Sequence, residues 1–365
     1  MFDPHFPDAD MNFWHNTSEL GVAGTGFALP GAPISTPELL AHMEKQFGLE
    51  CAKRGRIYAE KMNIQHRHIA RDLLERREGP REGHSNPDLA AQAIKEALAD
   101  AGMVVSDLGY IIGHTASPAR LIPNNMAFVA DKLEYRGPYM ELRQACTGFA
   151  NALAIGYGML SGPSAKPIAI VGSETGSAYF DPERVKEDAG QLVNLVQMGD
   201  AAGAIILVPE GYESKGKLSH SFFGHIGLGR EPGFTVLEGG SSAPFTSGDV
   251  IEFAHEFGSV RVNGPELFIA GIQASLSIGS GIEDVNHIIP HQANGNMGAL
   301  MEEHMGMDGS RVFVNAHKRG NTGSAAIWLA LAELRKQMVG GETALILGAE
   351  ATKYLYGGFR YTHGL

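Results

Sequence analysis

An internal duplication constrains this chain more than any other feature. DLGYIIGH (Asp107 to His114) reads like DVNHIIPH (Asp284 to His291), KPIAIVGSE (Lys166 to Glu174) like ETALILGAE (Glu342 to Glu350), and CTG (Cys146 to Gly148) like NTG (Asn321 to Gly323). Any one pairing is weak. All three fall in the same order at nearly one offset, about 176 residues, and collinear matches at a fixed period mark a repeated structural unit. Between them short β-branched runs (Tyr110 to Ile112, Pro167 to Val171, Ala204 to Val208, His287 to Ile289, Thr343 to Leu347) alternate with longer Ala/Leu/Gly-rich stretches of helical period. That alternation is the α/β pattern. The expectation is an α/β chain of two duplicated halves, 19–209 and 210–365, packed about a pseudo-twofold, with residues 1–18 as an added N-terminal arm. One helix is sharply bounded, with Asn86 as its cap, Pro87 in its first turn and Gly102 as its stop.

Composition narrows the partners. Twenty-nine Lys plus Arg against 41 Asp plus Glu leave a net charge of −12, a field that repels phosphate backbones and argues against nucleic acid. There is no unbroken apolar run of the roughly 18 residues needed to cross a bilayer, and the N-terminus lacks the basic start of a signal peptide. A cytoplasmic protein without membrane contact is expected. Only Cys51 and Cys146 occur, too few for a disulfide scaffold, so each is filler or nucleophile.

In halves related by a pseudo-twofold, equivalent positions meet near the axis, and here they differ chemically. Cys146 opposes Asn321, and His114 has His291 as its mate. Cys146 precedes TGFANALAIGYGML, which reads as a buried helix, so its sulfur should feel the positive end of the helix dipole and have a lowered pKa. His291 ends a strand, where α/β proteins gather their chemistry. Asn321 precedes a small-residue helix, where it would ordinarily be a cap. Together Cys146, His291 and Asn321 form a thiol, imidazole and amide set suited to acyl-thioester chemistry. No spacing suggests a metal site, and Gly24 to Gly26 lacks the full dinucleotide fingerprint, so no cofactor is expected. The repeat mates Glu174 and Glu350 are expected to bond loop amides, with a catalytic base as the alternative, and His114 to be a loop histidine.

The motifs ACTGF around Cys146, PHQAN (Pro290 to Asn294), GNTGSAA (Gly320 to Ala326), MGDAAGA (Met198 to Ala204) and GTGFALP (Gly24 to Pro30) resemble those of the β-ketoacyl-ACP synthase III branch of the thiolase superfamily. The resemblance implies a five-layered αβαβα fold and a homodimer. It implies acyl loading on Cys146, and an enolate stabilised by His291 and Asn321. It gives the second oxyanion site to backbone N–H groups of Cys146 and of the turn at Glu350 and Ala351. Leu121, Ile122 and Pro123 would cross the dimer axis to close the partner's acyl tunnel. Substrates would arrive on acyl carrier protein (ACP) or coenzyme A.

Departures from the family pattern shape the functional expectation. GAEATKYLYGGF (Gly348 to Phe359) replaces a glycine triplet, Lys61 to Ile69 has no tryptophan to stack an adenine, and PHQAN is not followed by a basic residue. A specialised-metabolite enzyme is therefore favoured, joining the loaded acyl group to a malonyl, acyl or β-ketoacyl thioester, as in dialkylresorcinol or pyrone-type diketone formation. The alternatives are primary fatty-acid initiation, an acyltransferase making an ester or amide, a non-catalytic supporting subunit, and a Cys/His/Asn hydrolase. From Lys53 to Arg81 nine basic residues stand against four acids. Arg67, Arg71, Arg76 and Arg77 are its expected carrier-docking residues, with a solvated face as the plainer reading.

Overall fold

The computed structural model describes residues 12–48, 50–71, 82–179, 185, 189–237 and 253–364. The first half contributes strands β1 (Leu20–Ala28), β2 (Tyr110–His114), β3 (Tyr139–Leu142), β4 (Ile168–Glu174) and β5 (Ala201–Val208). Their spatial order is β3-β2-β4-β5-β1. β2 runs parallel to β3 and β4, while β4/β5 and β5/β1 are antiparallel. The second half has β6 (Gly216–His225), β7 (His287–Pro290), β8 (Thr343–Glu350) and β9 (Leu355–His363), in the order β7-β8-β9-β6. Again the first pair is parallel and the next two antiparallel. A lone parallel bridge from Ile288 to Val312 stands where the first half has β3. The two halves thus share one topology strand for strand, as the duplicated segments require.

β1 and β6 also bond edge to edge, at Leu20 with Leu218 and Gly21 with Lys217. The arm is not wholly separate: Trp14–Asn16 pairs with β6 as a further strand.

Five helices position the site: α1 (Asn86–Ala101), α2 (Gly148–Leu160), α3 (Ala189–Gln197), α4 (Phe257–Ser277) and α5 (Ala326–Arg335). α1 lies on β1, β4 and β5, α4 on β6, β8 and β9, whereas α2 and α5 touch strands of both halves. The result is an αβαβα stack with α2 and α5 as its middle layer. α2 and α5 are apolar nearly all round, as a helix covered on both sides must be. At their crossing Phe149, Trp328 and Phe359 meet with ring centroids 5.7–5.9 Å apart, and all three are fully buried. Such rings contribute ~0.5–1.5 kcal/mol per pair beyond the area they bury.

α1 begins one residue earlier than its sequence suggests. Ser85, not Asn86, is the cap, forming a reciprocal box with Asp88, and Gly102 ends the helix at φ 67°. Asn86 is instead a buried hub, its amide bonded to Thr115, Ser117, Asn125 and Ser173. His114 is no loop residue. It is fully buried at the end of β2, accepts from Trp328 Nε1 at 3.3 Å, and burial lowers its pKa to about 3.

Candidate active site

Cys146 lies in the turn between β3 and α2, two residues before the helix begins. The turn is braced by Gln144, which donates to Thr147 Oγ1 (2.9 Å) and accepts from Asn151 (2.8 Å). Gly148 is required for space: a Cβ there would stand 2.5 Å from the His114 ring. The buried histidine therefore sets how closely the helix start, and with it Cys146, approaches the sheet.

His291 follows β7 directly, with its N–H donating to Leu347 O at 2.8 Å. Burial lowers its pKa to about 4, so the ring is neutral and offers one N–H. Asn321 is clasped by the first half: its N–H donates to Gln197 O (2.8 Å) and its carbonyl accepts from Gly199 (3.0 Å). Gln197 Nε2 also donates to Ala293 O at 2.7 Å. MGDAAGA and the helix before it thus hold both second-half motifs in place. The Asn321 side-chain oxygen accepts from Gly323 N at 3.1 Å, which leaves the NH₂ as its free end.

Cys146, His291 and Asn321 line a single cavity of ≈ 210 Å³, together with Glu174, Glu350, Ala351 and largely apolar side chains. The strand-end glutamates cross between halves. Glu350 accepts from Thr147 N (2.9 Å), Thr147 Oγ1 (2.7 Å) and Thr352 Oγ1. Glu174 accepts from Ser324 Oγ (2.7 Å), Ser324 N (3.3 Å) and Ser117 Oγ. Each carboxyl so caps the helix start of the opposite half, the amide-bonding role anticipated for the pair.

This arrangement reverses one expectation. The Cys146 thiol is pushed well above its ordinary pKa, by burial first and then by the charges of Glu350 and Glu174. The resting group is a thiol, not a dipole-stabilised thiolate. Burial also raises the carboxyl of Glu174 itself.

Other anticipated positions divide. Glu350 stands in the sheet ladder opposite Leu355, and past the strand end Ala351 and Thr352 line the cavity. In the turn that stands in place of a glycine triplet, the left-handed position is taken by Tyr354, at φ 58°. Leu121, Ile122 and Pro123 are exposed on the single chain, Ile122 at 89%, which excludes a place in the core. Arg67 cannot meet a carrier: it is completely buried and donates to Val196 O, and burial lowers its pKa to about 10. Arg71 is half-buried, and Arg76 and Arg77 lie outside the described residues. The exposed basic side chains are Lys53, Arg54, Arg56 and Lys61, on the helix Ala52–Met62. That helix is bonded to the loop after His291, with Gly295 N donating to Met62 O and Asn296 Nδ2 to Lys61 O. The sequence also gave no warning that Asn194 and His255 share the cavity wall, since neither lies in a motif.

Among the described residues no cluster of His, Cys, Asp and Glu could hold a metal, and no helix is long and apolar enough to cross a membrane. Two duplicated α/β halves that bring a thiol, an imidazole and an amide to one largely apolar cavity define a thiolase-fold condensing enzyme. Comparison with known proteins agrees. The description 3-oxoacyl-[acyl-carrier-protein] synthase III matches residues 140–226 and its C-terminal counterpart residues 277–353. The chain is 32% identical over 272 residues to β-ketoacyl-[acyl-carrier-protein] synthase III 2 of Vibrio vulnificus strain YJ016, covering 71% of this chain and 70% of that one. Among solved structures it is similar to AbyA1, a tetronic acid condensing enzyme, with a TM-score of 0.79 at 26% identity over 94% of this chain and 99% of that one. It is likewise similar to 3-oxoacyl-(acyl carrier protein) synthase III of Pseudomonas aeruginosa PAO1, with a TM-score of 0.75 at 25% identity over 95% and 99%. The chain belongs to the β-ketoacyl-ACP synthase III family and is an acyl-transferring condensing enzyme.

Proposed function

We propose that Cys146 takes an acyl group from a carrier thioester and that the enzyme joins it to a second malonyl, acyl or β-ketoacyl thioester in specialised metabolism. The observation that carries this reading is the single cavity shared by Cys146, His291 and Asn321. In the first step the Cys146 sulfur bonds to the acyl carbon, the bond to the carrier sulfur breaks, and the thiol proton ends on the carrier. One thioester replaces another at little free-energy cost. In the second step the neutral His291 ring and the free NH₂ of Asn321 donate to the oxygen of the incoming thioester while CO₂ or an α-proton leaves. The enolate carbon bonds to the acyl carbon, the bond to the Cys146 sulfur breaks, and that sulfur takes up a proton, the α-proton where one was released or one from water after CO₂ loss, which restores the thiol. Preorganised donors of this kind are worth ~3 kcal/mol each in comparable sites. N–H groups of Cys146 and Ala351 are the candidate donors for the second oxyanion.

A role in specialised metabolism is supported by the likeness to a tetronic acid condensing enzyme and by the departure of the turn after Glu350 from a glycine triplet. The carrier is an acyl-ACP or acyl-CoA, landing on the basic helix Ala52–Met62, which adjoins the His291 loop. Two copies of the chain form the working unit. The decisive test is intact-protein mass spectrometry after incubation with acyl-CoA and acyl-ACP donors. Wild type and Cys51→Ala should gain one acyl mass and Cys146→Ala none. An adduct that survives Cys146→Ala overturns the assignment, and product analysis with a second thioester separates condensation from ester or amide formation.

A further inference from the structure

The cavity holds a second polar pair that neither acyl transfer nor enolate formation uses. Asn194, on α3, is 1% exposed and lines the cavity, and its Nδ2 has no hydrogen-bond partner among the described residues. Its Oδ1 lies 2.8 Å from Nδ1 of His255, a second lining residue. Two neighbouring polar side chains of the cavity are engaged: Tyr179 donates to Ala116 O at 2.5 Å, and Gln197 Nε2 to Ala293 O. His255 is held in an aromatic cradle, its ring 3.9 Å from that of Phe257 and 5.5 Å from that of Phe234, which pairs with it across a short two-stranded ribbon.

Buried amide groups are almost always satisfied, and an unpartnered one on a residue of a cavity wall calls for an explanation. The roles of the pair follow from its bond. Asn194 Oδ1 can only accept, so His255 Nδ1 carries the proton and Nε2 of the neutral ring is an acceptor. Burial, which lowers the His255 pKa to about 4, keeps that ring neutral. The pair therefore presents one unused donor, Asn194 Nδ2, and one acceptor, His255 Nε2. Turning the amide over and moving the ring proton would exchange the two roles and leave the same complement. A hydroxyl both accepts and donates and so matches it in either setting; a methylene matches neither group, and a carbonyl oxygen only the donor.

We propose that Asn194 and His255 form a recognition subsite for a hydroxyl group borne by the acyl chain of the thioester substrate. The proposal rests on the acyl-loading role of Cys146. A site built to bond a substrate hydroxyl discriminates against the analogue lacking it far more strongly than an apolar pocket discriminates by size, because its own buried groups are then left unpaired. Substrates would be hydroxyacyl thioesters, supplied by a reaction class that leaves an alcohol on the chain, such as reduction of a ketone.

The test compares straight-chain acyl-CoA thioesters with counterparts of equal length carrying a hydroxyl at successive carbons. It follows loading on the full-length protein by intact mass. Wild type should load one hydroxyl isomer at least tenfold faster than its unsubstituted partner. Asn194→Leu, and separately His255→Phe, should bring that ratio to near one, with thermal unfolding checked for both variants. Equal loading of all chains by wild type overturns the proposal, as does a ratio that survives both substitutions. The carrier arm also bears hydroxyl and amide groups. Were it the occupant, Asn194→Leu would slow both members of a pair equally and the loss would vanish with N-acetylcysteamine thioesters, an outcome that overturns the acyl assignment. Absence of any adduct from either member, while iodoacetamide still modifies Cys146, overturns the loading role itself.

Discussion

Cys146 stands where opposing fields meet. A helix N-terminus stabilises a nearby anion by ~0.3–1 kcal/mol, and by ~2 kcal/mol in favourable sites. Cys146 is half-buried; desolvation raises its pKa first, and here two carboxyls add to it. Burial and charge win, so proton removal belongs to the act of attack. Because Glu350 raises the thiol pKa, Glu350→Gln should lower it. The rate of Cys146 alkylation by iodoacetamide, followed against pH, should reach its midpoint at lower pH than in wild type; an unmoved midpoint would show that the Glu350 charge is not felt at the sulfur. His291 and Asn321 act on a different step. His291→Ala or Asn321→Ala should leave self-acylation largely intact and slow condensation by a factor on the order of 10²–10³, read by separate loading and product assays. Equal loss of both half-reactions would instead make His291 the base that receives the Cys146 proton. With a ring pKa of about 4, its titration should not shape the condensation rate between pH 6 and 8.

At the scale of elements, the basic helix Ala52–Met62 is the part of the surface that both carries positive charge and touches the loop after His291. Charge reversal of Lys53 and Arg54, or of Arg56 and Lys61, should weaken use of an acyl-ACP donor. The loss should be larger at low salt, since exposed charges are screened over roughly 10 Å at 0.1 M. Apparent affinity unchanged at both salt levels would leave this helix as a solvated face. The docking site is also where sequence and structure part company most clearly. A count of charges between Lys53 and Arg81 cannot tell that Arg67 turns inward to Val196 O while Arg56 stays in water, because burial is decided by tertiary packing on α3. The correspondence of strands between the halves, by contrast, was legible, since the repeated IIxH and strand-Glu segments are the β2/β7 and β4/β8 pairs themselves. The meeting of Cys146, His291 and Asn321 followed from the same repeat. The cross-caps of Glu350 on Thr147 and Glu174 on Ser324 were half legible: the glutamates could be paired with each other, but not with partners 203 and 150 residues away. Asn194 and His255 left no trace, because a polar pair assembled from a helix and a distant ribbon has no period and no spacing.

For the whole molecule, duplication supplies the scaffold and divergence the chemistry. One half keeps the thiol and the other the imidazole and amide, and the crossing glutamates and Gln197 tie each half to the other's functional turn. What a single chain leaves open lies at the far side of the first half. β3 is an edge of the sheet, and the nearby segment after β2 carries Leu121 and Ile122, exposed at 51% and 89%. Unpaired strand edges and prominent apolar side chains are what a second copy would cover. The family likeness gives the same segment a place at the floor of the partner's acyl tunnel, where its volume competes with substrate methylenes. Each buried CH₂ contributes ~0.8 kcal/mol, so removing the outer carbons of one isoleucine should shift chain-length preference by roughly tenfold or more. Ile122→Ala is therefore expected to accept longer chains and Ile122→Phe shorter ones, measured as loading profiles over an acyl-CoA series, with both variants dimeric by light scattering. A monomeric wild type, or profiles identical in all three proteins, would remove Ile122 from the site.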